Sequence, residues 1–199
     1  MAEPLARGRP GAQASRGPEY AVSRRQCHAV HTRRRPTARE NPMPDLTESI
    51  TVHSSADALY RLVSDLPRMS EWSPECTRVT WSSSSDESAE GPVPGARFVG
   101  HNRVGVVRWF TFGRVLTAQP GRRFTFDITF GPIPISRWDY EFTPTATGCE
   151  VTESWTDHRP SVLKLLFRPV FGNRAPRNVH GIHTTLIRLK SAAEATARA

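Results

Sequence analysis

The chain has 199 residues, a formal net charge of +8 and a mean hydropathy of −0.48. Nine Arg and three Glu of residues 1–42 account for six of those eight charges. The rest is nearly charge-balanced, so no nucleic-acid-binding function is expected of it. No apolar run reaches the roughly 18 residues that a membrane-spanning helix requires, and no secretory signal segment is expected after Met1.

Residues 1–42 are predicted to be a disordered tail. They are rich in Arg, Pro, Gly and Ala, and they cannot bury enough apolar surface to offset their chain entropy. Three interpretations stay open: a transit peptide, against which three internal prolines argue, a basic arm for nucleic acid or anionic lipid, or a stretch upstream of a true start at Met43. Residues 43–199 have the usual size of one domain.

The three cysteines are Cys27, Cys76 and Cys149. This odd and widely spaced set predicts no disulfide framework and suits a reducing compartment. We therefore expect a cytoplasmic protein.

A broken helix pair follows a first strand at 46–53. The segment Ser54–Val63 begins with capping residues, places apolar side chains on one helical face, and stops at Asp65-Leu-Pro67, where the proline cannot continue the helix. A second short turn ends at Trp72-Ser-Pro74.

From Glu75 onward, the apolar period changes from helical to two. Gly- and Pro-rich turn signals favour antiparallel neighbours over helical crossovers. One long helix is predicted over 178–197, because Ile182, Leu186, Leu189 and Ala193 recur on one face. The six predicted strands lie near 76–82, 96–103, 106–118, 122–130, 135–144 and 149–157.

Charge alternation assigns a face to each strand. In 122–130, Arg123 and Asp127 mark the solvent side, so Phe124, Phe126, Ile128 and Phe130 are predicted to point inward. The same argument turns more aromatic side chains inward on the neighbouring strands. The sheet should have one wet face and one aromatic face, whose inward aromatics include Phe98, Trp109, Trp138, Tyr140 and Trp155.

This α+β order of strand, two short helices, six strands and a long C-terminal helix resembles the helix-grip fold of the START-related superfamily, SRPBCC. The segments Leu62–Glu75, Pro94–Gly100, Pro120–Phe124 and Thr185–Lys190 look like its bacterial polyketide cyclase/dehydrase branch. The resemblance covers about residues 46–195. It implies a curved antiparallel sheet that grips the C-terminal helix, with a cavity between them that is typically ~300–1,000 Å³ in volume.

Nine inward residues are therefore candidates for ligand binding. The alternative is that the aromatic residues simply fill the core, and the sequence does not separate the two. The candidates are Phe98, Asn102, Trp109, Phe126, Trp138, Tyr140, Glu153, Trp155 and His183.

Three of these nine, Glu153, Tyr140 and His183, are also candidates for proton transfer. Glu153 lies in phase with Val151 and Trp155, and burial on the aromatic side would raise its pKa. A salt bridge or the opposite strand phase is the structural alternative. Tyr140 and Asn102 could anchor a ligand oxygen or satisfy backbone groups. His183 either borders the cavity or is a partly buried structural histidine.

His180 and His183 share a helical face, as two ligands of a metal site would. A third ligand at a fitting spacing is missing nearby, so no metal and no cofactor is predicted. The sequence also has no Gly-rich phosphate loop and no nucleophile elbow.

The apolar segment 162–171 interrupts the path from the last strand to the closing helix. It is interpreted as a pocket lid, as an interfacial patch that contacts a membrane transiently, or as ordinary packing against the sheet edge.

The leading functional hypothesis is binding or transport of a hydrophobic small molecule, lipid or polyketide-like, in the internal cavity. The main rival is a polyketide cyclase or dehydratase that needs no cofactor and uses Glu153, Tyr140 or His183 for proton transfer. A nucleic-acid or protein interaction module is the least favoured class. Oligomeric state is not predicted.

Overall fold

The structure is a computed structural model that describes residues 43–82, 92–171 and 174–196, with backbone only for 167–171. The predicted disorder of residues 1–42 lies outside these residues. Strand β1 (Leu46–Val52) leads into helix α1 (Ala56–Ser64), a 3₁₀ turn (Leu66–Arg68) and helix α2 (Met69–Trp72). The Ser55 hydroxyl caps α1 by accepting a hydrogen bond from the Ala58 N–H at 3.2 Å.

Six further strands complete a seven-stranded sheet in which every neighbouring pair is antiparallel. The order across the sheet is β1-β7-β6-β5-β4-β3-β2, so only the contact of β1 with β7 joins strands distant in sequence. The strands are β2 (Cys76–Trp81), β3 (Arg97–Val104), β4 (Val107–Gln119), β5 (Arg123–Phe130), β6 (Ile133–Thr145) and β7 (Gly148–Asp157).

Two helices follow the sheet, α3 (Ser161–Phe171) and α4 (Arg174–Thr196). The residues predicted to form the apolar face of α4 are all buried: Ile182, Leu186, Leu189 and Ala193. Helix α4 begins four residues earlier than predicted, because Pro176 lies in its first turn, where a missing N–H breaks no helical bond. The curved sheet, the two short helices and the long closing helix form the predicted helix-grip fold.

The solvent face of the sheet carries the predicted charges, and they pair across strands. Arg123 makes a two-point contact with Asp139, and Arg137 does the same with Asp127. Thr125 also donates to Asp139 on this face and is buried beneath the network.

Phe130 was predicted to point inward, and this prediction is wrong. Its side chain is 47% exposed, and its ring lies 6.0 Å from that of Phe110 on the solvent face. Phe130 is the last residue of β5 and lies beyond Thr129, where the pairing with β4 ends. The register shift between β5 and β6 places its extra residue, Ile135, in β6 and not in β5. Charge alternation along β5 does not reveal where the pairing with its neighbour stops.

Candidate functional site

A cavity of about 170 Å³ lies between the inner face of the sheet and helix α4. Eight of the nine predicted ligand-binding residues line it, so the strand phases place them together. This volume is below the range that the resemblance implies, because the large aromatic side chains themselves occupy much of the space. The eight residues are Phe98, Asn102, Trp109, Phe126, Trp138, Tyr140, Glu153 and Trp155.

Aromatic rings in edge-to-face and tilted contacts form the wall. The ring of Phe98 meets that of Phe126 at 5.5 Å and 79°, and Trp138 and Trp155 lie 6.5 Å apart. Phe98 occupies the space that a side chain at Gly113 would fill, since a Cβ added there would overlap the ring. The glycine on β4 thus fixes the position of one cavity wall.

Among the residues that the structure describes, one carboxyl group is buried in the cavity wall. Glu153 is 1% exposed, and its Oε1 accepts a hydrogen bond of 2.8 Å from the Tyr140 hydroxyl. The two residues are direct cross-strand partners on β7 and β6, so the sheet register itself brings them together. Glu153 Oε2 is also buried, and among the described residues it has no hydrogen-bond partner.

Burial raises the pKa of Glu153 to about 8, and the neighbouring carboxylate of Glu48 adds to the increase, while the Tyr140 hydrogen bond opposes it. Burial also raises the pKa of Tyr140 well above its usual value of 10.0, and the proximity of Glu153 adds to that shift. Both groups are therefore mostly protonated at neutral pH. A carboxyl group with a pKa near the working pH can either give or take a proton.

Charged groups surround the partly exposed rim of the cavity. Arg174, at the start of α4, binds Glu75 at 2.8 Å and lies 5.6 Å above the Trp109 ring. Arg177 also faces Glu75, at 3.8 Å. The sequence interpretation missed these residues, although continuing the apolar stripe of α4 backward by four residues from Ile182 leads to Asn178 and then to Arg174.

A second ion pair at the rim follows the end of β7. Arg159 makes a two-point contact with Asp157, with distances of 2.9 and 2.8 Å, and also donates its backbone N–H to that carboxylate. Lys164 of α3 approaches the same group at 3.2 Å. These bonds together hold the pKa of Asp157 below its usual value, against the opposing effect of burial.

Two other polar residues in the wall have limited chemistry. The Asn102 side-chain amide makes only long contacts of 3.4 Å, to the Gly100 carbonyl and the Thr111 hydroxyl. Burial raises the pKa of the Cys76 thiol to about 11, so the thiolate nucleophile is scarce at neutral pH.

His183 does not border the cavity, so that expectation is wrong. Its side chain is 58% exposed and contacts Glu48 at 2.5 Å. Val179 and Ile187, one turn to either side, are exposed as well, which places this stripe on the outside of α4. Within the described ranges, no three His, Cys, Asp or Glu residues are grouped as a metal site would require.

Comparison with known proteins gives the same fold. The chain is 31% identical to the Polyketide_cyc-like protein Cgl2372 from Corynebacterium glutamicum, covering 76% of this chain and 92% of that one with a TM-score of 0.50. Protein NE0264 from Nitrosomonas europaea is 12% identical, with coverages of 80% and 99% and a TM-score of 0.57.

A third similar structure is the di-domain ARO/CYC StfQ from the steffimycin biosynthetic pathway. It is 19% identical over 77% of this chain and 51% of its own length, with a TM-score of 0.58. No curated protein matches the chain. The family model described as polyketide cyclase/dehydrase and lipid transport matches residues 43–194. The chain therefore belongs to the polyketide cyclase/dehydrase and lipid transport family.

Proposed function

We propose that the protein binds or transports a hydrophobic small molecule, lipid or polyketide-like, in the cavity beneath α4. The observation that carries this proposal is an aromatic cavity with one buried carboxyl group in its wall. Family membership supports it, because the family description includes lipid transport. Among the described residues no helix has the length and apolar character needed to cross a membrane.

The cavity volume suggests how such a ligand would sit. A cavity of about 150 Å³ in another protein holds one benzene molecule, and the present cavity, at about 170 Å³, is similar. It therefore accommodates a ring or the end of a chain, while a longer ligand would extend through the charged rim. The guanidinium groups of Arg159, Arg174 and Arg177 would then meet its outer part.

Native mass spectrometry of the purified protein tests the proposal, since a carried ligand should appear as a defined mass addition. Thr111→Phe would fill part of the cavity, because Thr111 lines it. Thr143→Phe is the matched control on the exposed side of β6. We expect the first variant to lose the added mass and the second to keep it. Equal retention by both variants, or no binding of any hydrophobic compound to the wild type, would contradict the proposal.

A second candidate function, a cofactor-independent cyclase or dehydratase, is favoured by one specific observation. Glu153 is a buried carboxyl group with a pKa of about 8, and it shares the cavity with the Tyr140 hydroxyl. StfQ, whose fold is similar, is described as an ARO/CYC protein. Turnover of poly-β-keto analogues by the wild type, and its loss in Glu153→Gln with ligand binding retained, would establish this function. Binding without turnover would contradict the enzyme and would agree with the binding or transport function.

Helix α3 supports a transient membrane contact as part of the same function. Val162, Leu165 and Leu166 are 75%, 72% and 65% exposed, so this face does not pack against the sheet edge. Lys164, which lies between Val162 and Leu165 in the sequence and also contacts Asp157, adds a positive charge that would favour an anionic bilayer. Flotation with vesicles containing phosphatidylserine should recover the wild type and should fail for Leu165→Asp. Equal recovery of both proteins would contradict a role for α3.

A further inference from the structure

Glu153 Oε2 is the feature of the cavity that the protein itself leaves unsatisfied. Polar atoms that are buried normally have a hydrogen-bond partner, and leaving one without a partner destabilises the fold. Oε2 is buried without one, on a side chain that is 1% exposed and lines the cavity. A partner supplied from within the cavity would remove this penalty.

The charged and titratable groups around Glu153 determine which form of the carboxyl a ligand meets. Strand β6 contributes Tyr140, strand β1 contributes Glu48, and strand β2 contributes Cys76, while the residues of α4 that face the buried part of the cavity, Asn178 and Thr185, are uncharged. In the part of the chain that the structure describes, no cation pairs with Glu153.

The cations at the rim have carboxylates of their own. Arg174 and Arg177 face Glu75, and Arg159 is bound to Asp157. An ionised carboxylate at Glu153 would thus be desolvated without compensation, beside the carboxylate of Glu48. The neutral carboxyl is the form that this environment favours.

The hydrogen bond with Tyr140 then fixes where the proton lies. A neutral carboxyl has one carbonyl oxygen, which accepts, and one hydroxyl, which donates. Oε1 already accepts from the Tyr140 hydroxyl at 2.8 Å. The remaining oxygen, Oε2, is therefore the hydroxyl, and what it lacks is an acceptor.

We propose that the cavity selects ligands bearing a carbonyl oxygen, which accepts a hydrogen bond from the Glu153 carboxyl while Tyr140 holds that carboxyl in place. The inference rests on the proposed small-molecule binding and adds the ligand class, namely ketones and related carbonyl compounds whose other atoms are apolar. Glu153 is then the residue that sets specificity, and the aromatic wall supplies affinity that does not depend on the carbonyl.

Two compounds of nearly the same shape separate these contributions. Acetophenone has a carbonyl oxygen where α-methylstyrene has a methylene group, and each has a single ring of the size that the cavity accommodates. We expect the wild type to bind acetophenone about tenfold more tightly, the amount that a net hydrogen bond of about 1.5 kcal/mol would supply. Isothermal titration calorimetry measures both dissociation constants.

Glu153→Met should abolish this preference, because methionine has a similar length and no donor. Glu150→Met is the matched control, since it makes the same change on the exposed face of the same strand. Both this control and Glu153→Met are made in a Tyr140→Phe background, so that the Tyr140 hydroxyl, which donates to Glu153, is not left free to donate to the ligand. The infrared carbonyl band of ¹³C-labelled acetophenone should also shift to lower frequency on binding to the wild type and to Glu150→Met. That shift should be absent in Glu153→Met.

The outcomes distinguish selection for a carbonyl group from the binding of hydrophobic molecules in general. Equal affinity of the wild type for the two compounds, or an infrared shift that persists in Glu153→Met, overturns carbonyl selection and leaves hydrophobic binding standing. Failure of both compounds to bind overturns the proposed function and the inference with it. If Glu153→Met does not fold, the wild type measured at pH 6 and at pH 9.5 still decides. Its preference should fall at the higher pH, where the carboxyl loses its proton, and an unchanged preference overturns the inference.

Discussion

Glu153 and Asp157 are carboxylic acids four residues apart on strand β7, and the protein shifts their pKa values in opposite directions. The pKa of Glu153 rises to about 8, whereas that of Asp157 falls below its usual value. Both side chains are largely buried, at 1% and 8% exposure. The difference therefore comes from the partners that each carboxyl finds.

Asp157 accepts three hydrogen bonds from Arg159 and lies 3.2 Å from Lys164. Glu153 accepts one hydrogen bond from a neutral hydroxyl, and its direct partner on the neighbouring strand β1 is another carboxylate, Glu48. Asp157 at the rim is thus kept ionised, whereas Glu153 in the buried wall can remain neutral. This contrast teaches that one strand can supply both a fixed anion and a group able to exchange a proton.

The largest expected effect is a pH dependence of stability that Glu153 causes. Below pH 4.5 the carboxyl is protonated in both the folded and the unfolded chain. Between 4.5 and about 8 only the unfolded chain loses the proton, so the free energy of unfolding falls as the pH rises, and above 8 this contribution is constant. At about 1.4 kcal/mol per pH unit, the full fall is on the order of 5 kcal/mol.

Urea denaturation of the wild type and of Glu153→Gln from pH 4 to pH 9 measures this contribution as the difference between the two profiles. Glutamine cannot ionise, so its profile should lack the fall while keeping the effects of all other groups. Parallel profiles would show that Glu153 is ionised in the folded protein, and the contrast with Asp157 would disappear.

The next largest effect is expected from breaking the rim pair. Arg159→Met leaves the buried Asp157 carboxylate with Lys164 as its remaining ion-pair partner, and removing one member of a buried pair typically destabilises by about 3–5 kcal/mol. We expect a loss of about 2–4 kcal/mol at pH 7, because Lys164 offsets part of it.

The contribution of Asp157 to stability changes with pH in the opposite direction to that of Glu153. A lowered pKa stabilises the fold above the unfolded value of 3.8 and ceases to do so as the pH falls through the folded value. The wild type and Arg159→Met should therefore become more similar in stability at acidic pH. A constant difference down to pH 2 would mean that Arg159 acts through packing and not through the charge of Asp157.

Much of this contrast could be predicted from the sequence on the Glu153 side and little on the Asp157 side. Alternation along β7 fixes which face Glu153 occupies, because the side-chain period of a strand is two regardless of what lies around it. Arg159 and Arg174 lie outside the strands, at points where chain direction depends on the tertiary fold. Phe130 fails for a related reason, since it is the last residue of β5, beyond the part that pairs with β4, and local charges indicated the face correctly only up to Ile128.

Tyr140→Phe is expected to have a smaller effect, and it tests the hydrogen bond between Tyr140 and Glu153. It removes the hydrogen bond that Glu153 Oε1 accepts, and we expect a loss of about 1–2 kcal/mol at pH 5, where the carboxyl is protonated in the folded state. The Tyr140 hydrogen bond lowers the pKa of Glu153, so its removal should raise that pKa further. The fall in stability would then extend to a higher pH than in the wild type. A fall that ends at the same pH or lower would mean that Tyr140 does not hold the carboxyl.

The smallest effect is expected at Lys164, and it measures how far the Asp157 pair depends on geometry. Lys164 contacts the same carboxylate as Arg159, but its side chain is 43% exposed, whereas that of Arg159 is 15% exposed. Exposed ion pairs contribute about 0–1 kcal/mol because water screens them and the long side chain loses freedom. We expect Lys164→Ala to lower stability by less than about 1 kcal/mol in urea denaturation at pH 7. A loss as large as that of Arg159→Met would contradict the view that the two-point contact with Arg159 keeps Asp157 ionised. The total positive charge near Asp157, and not a buried hydrogen-bonded pair, would then stabilise its carboxylate.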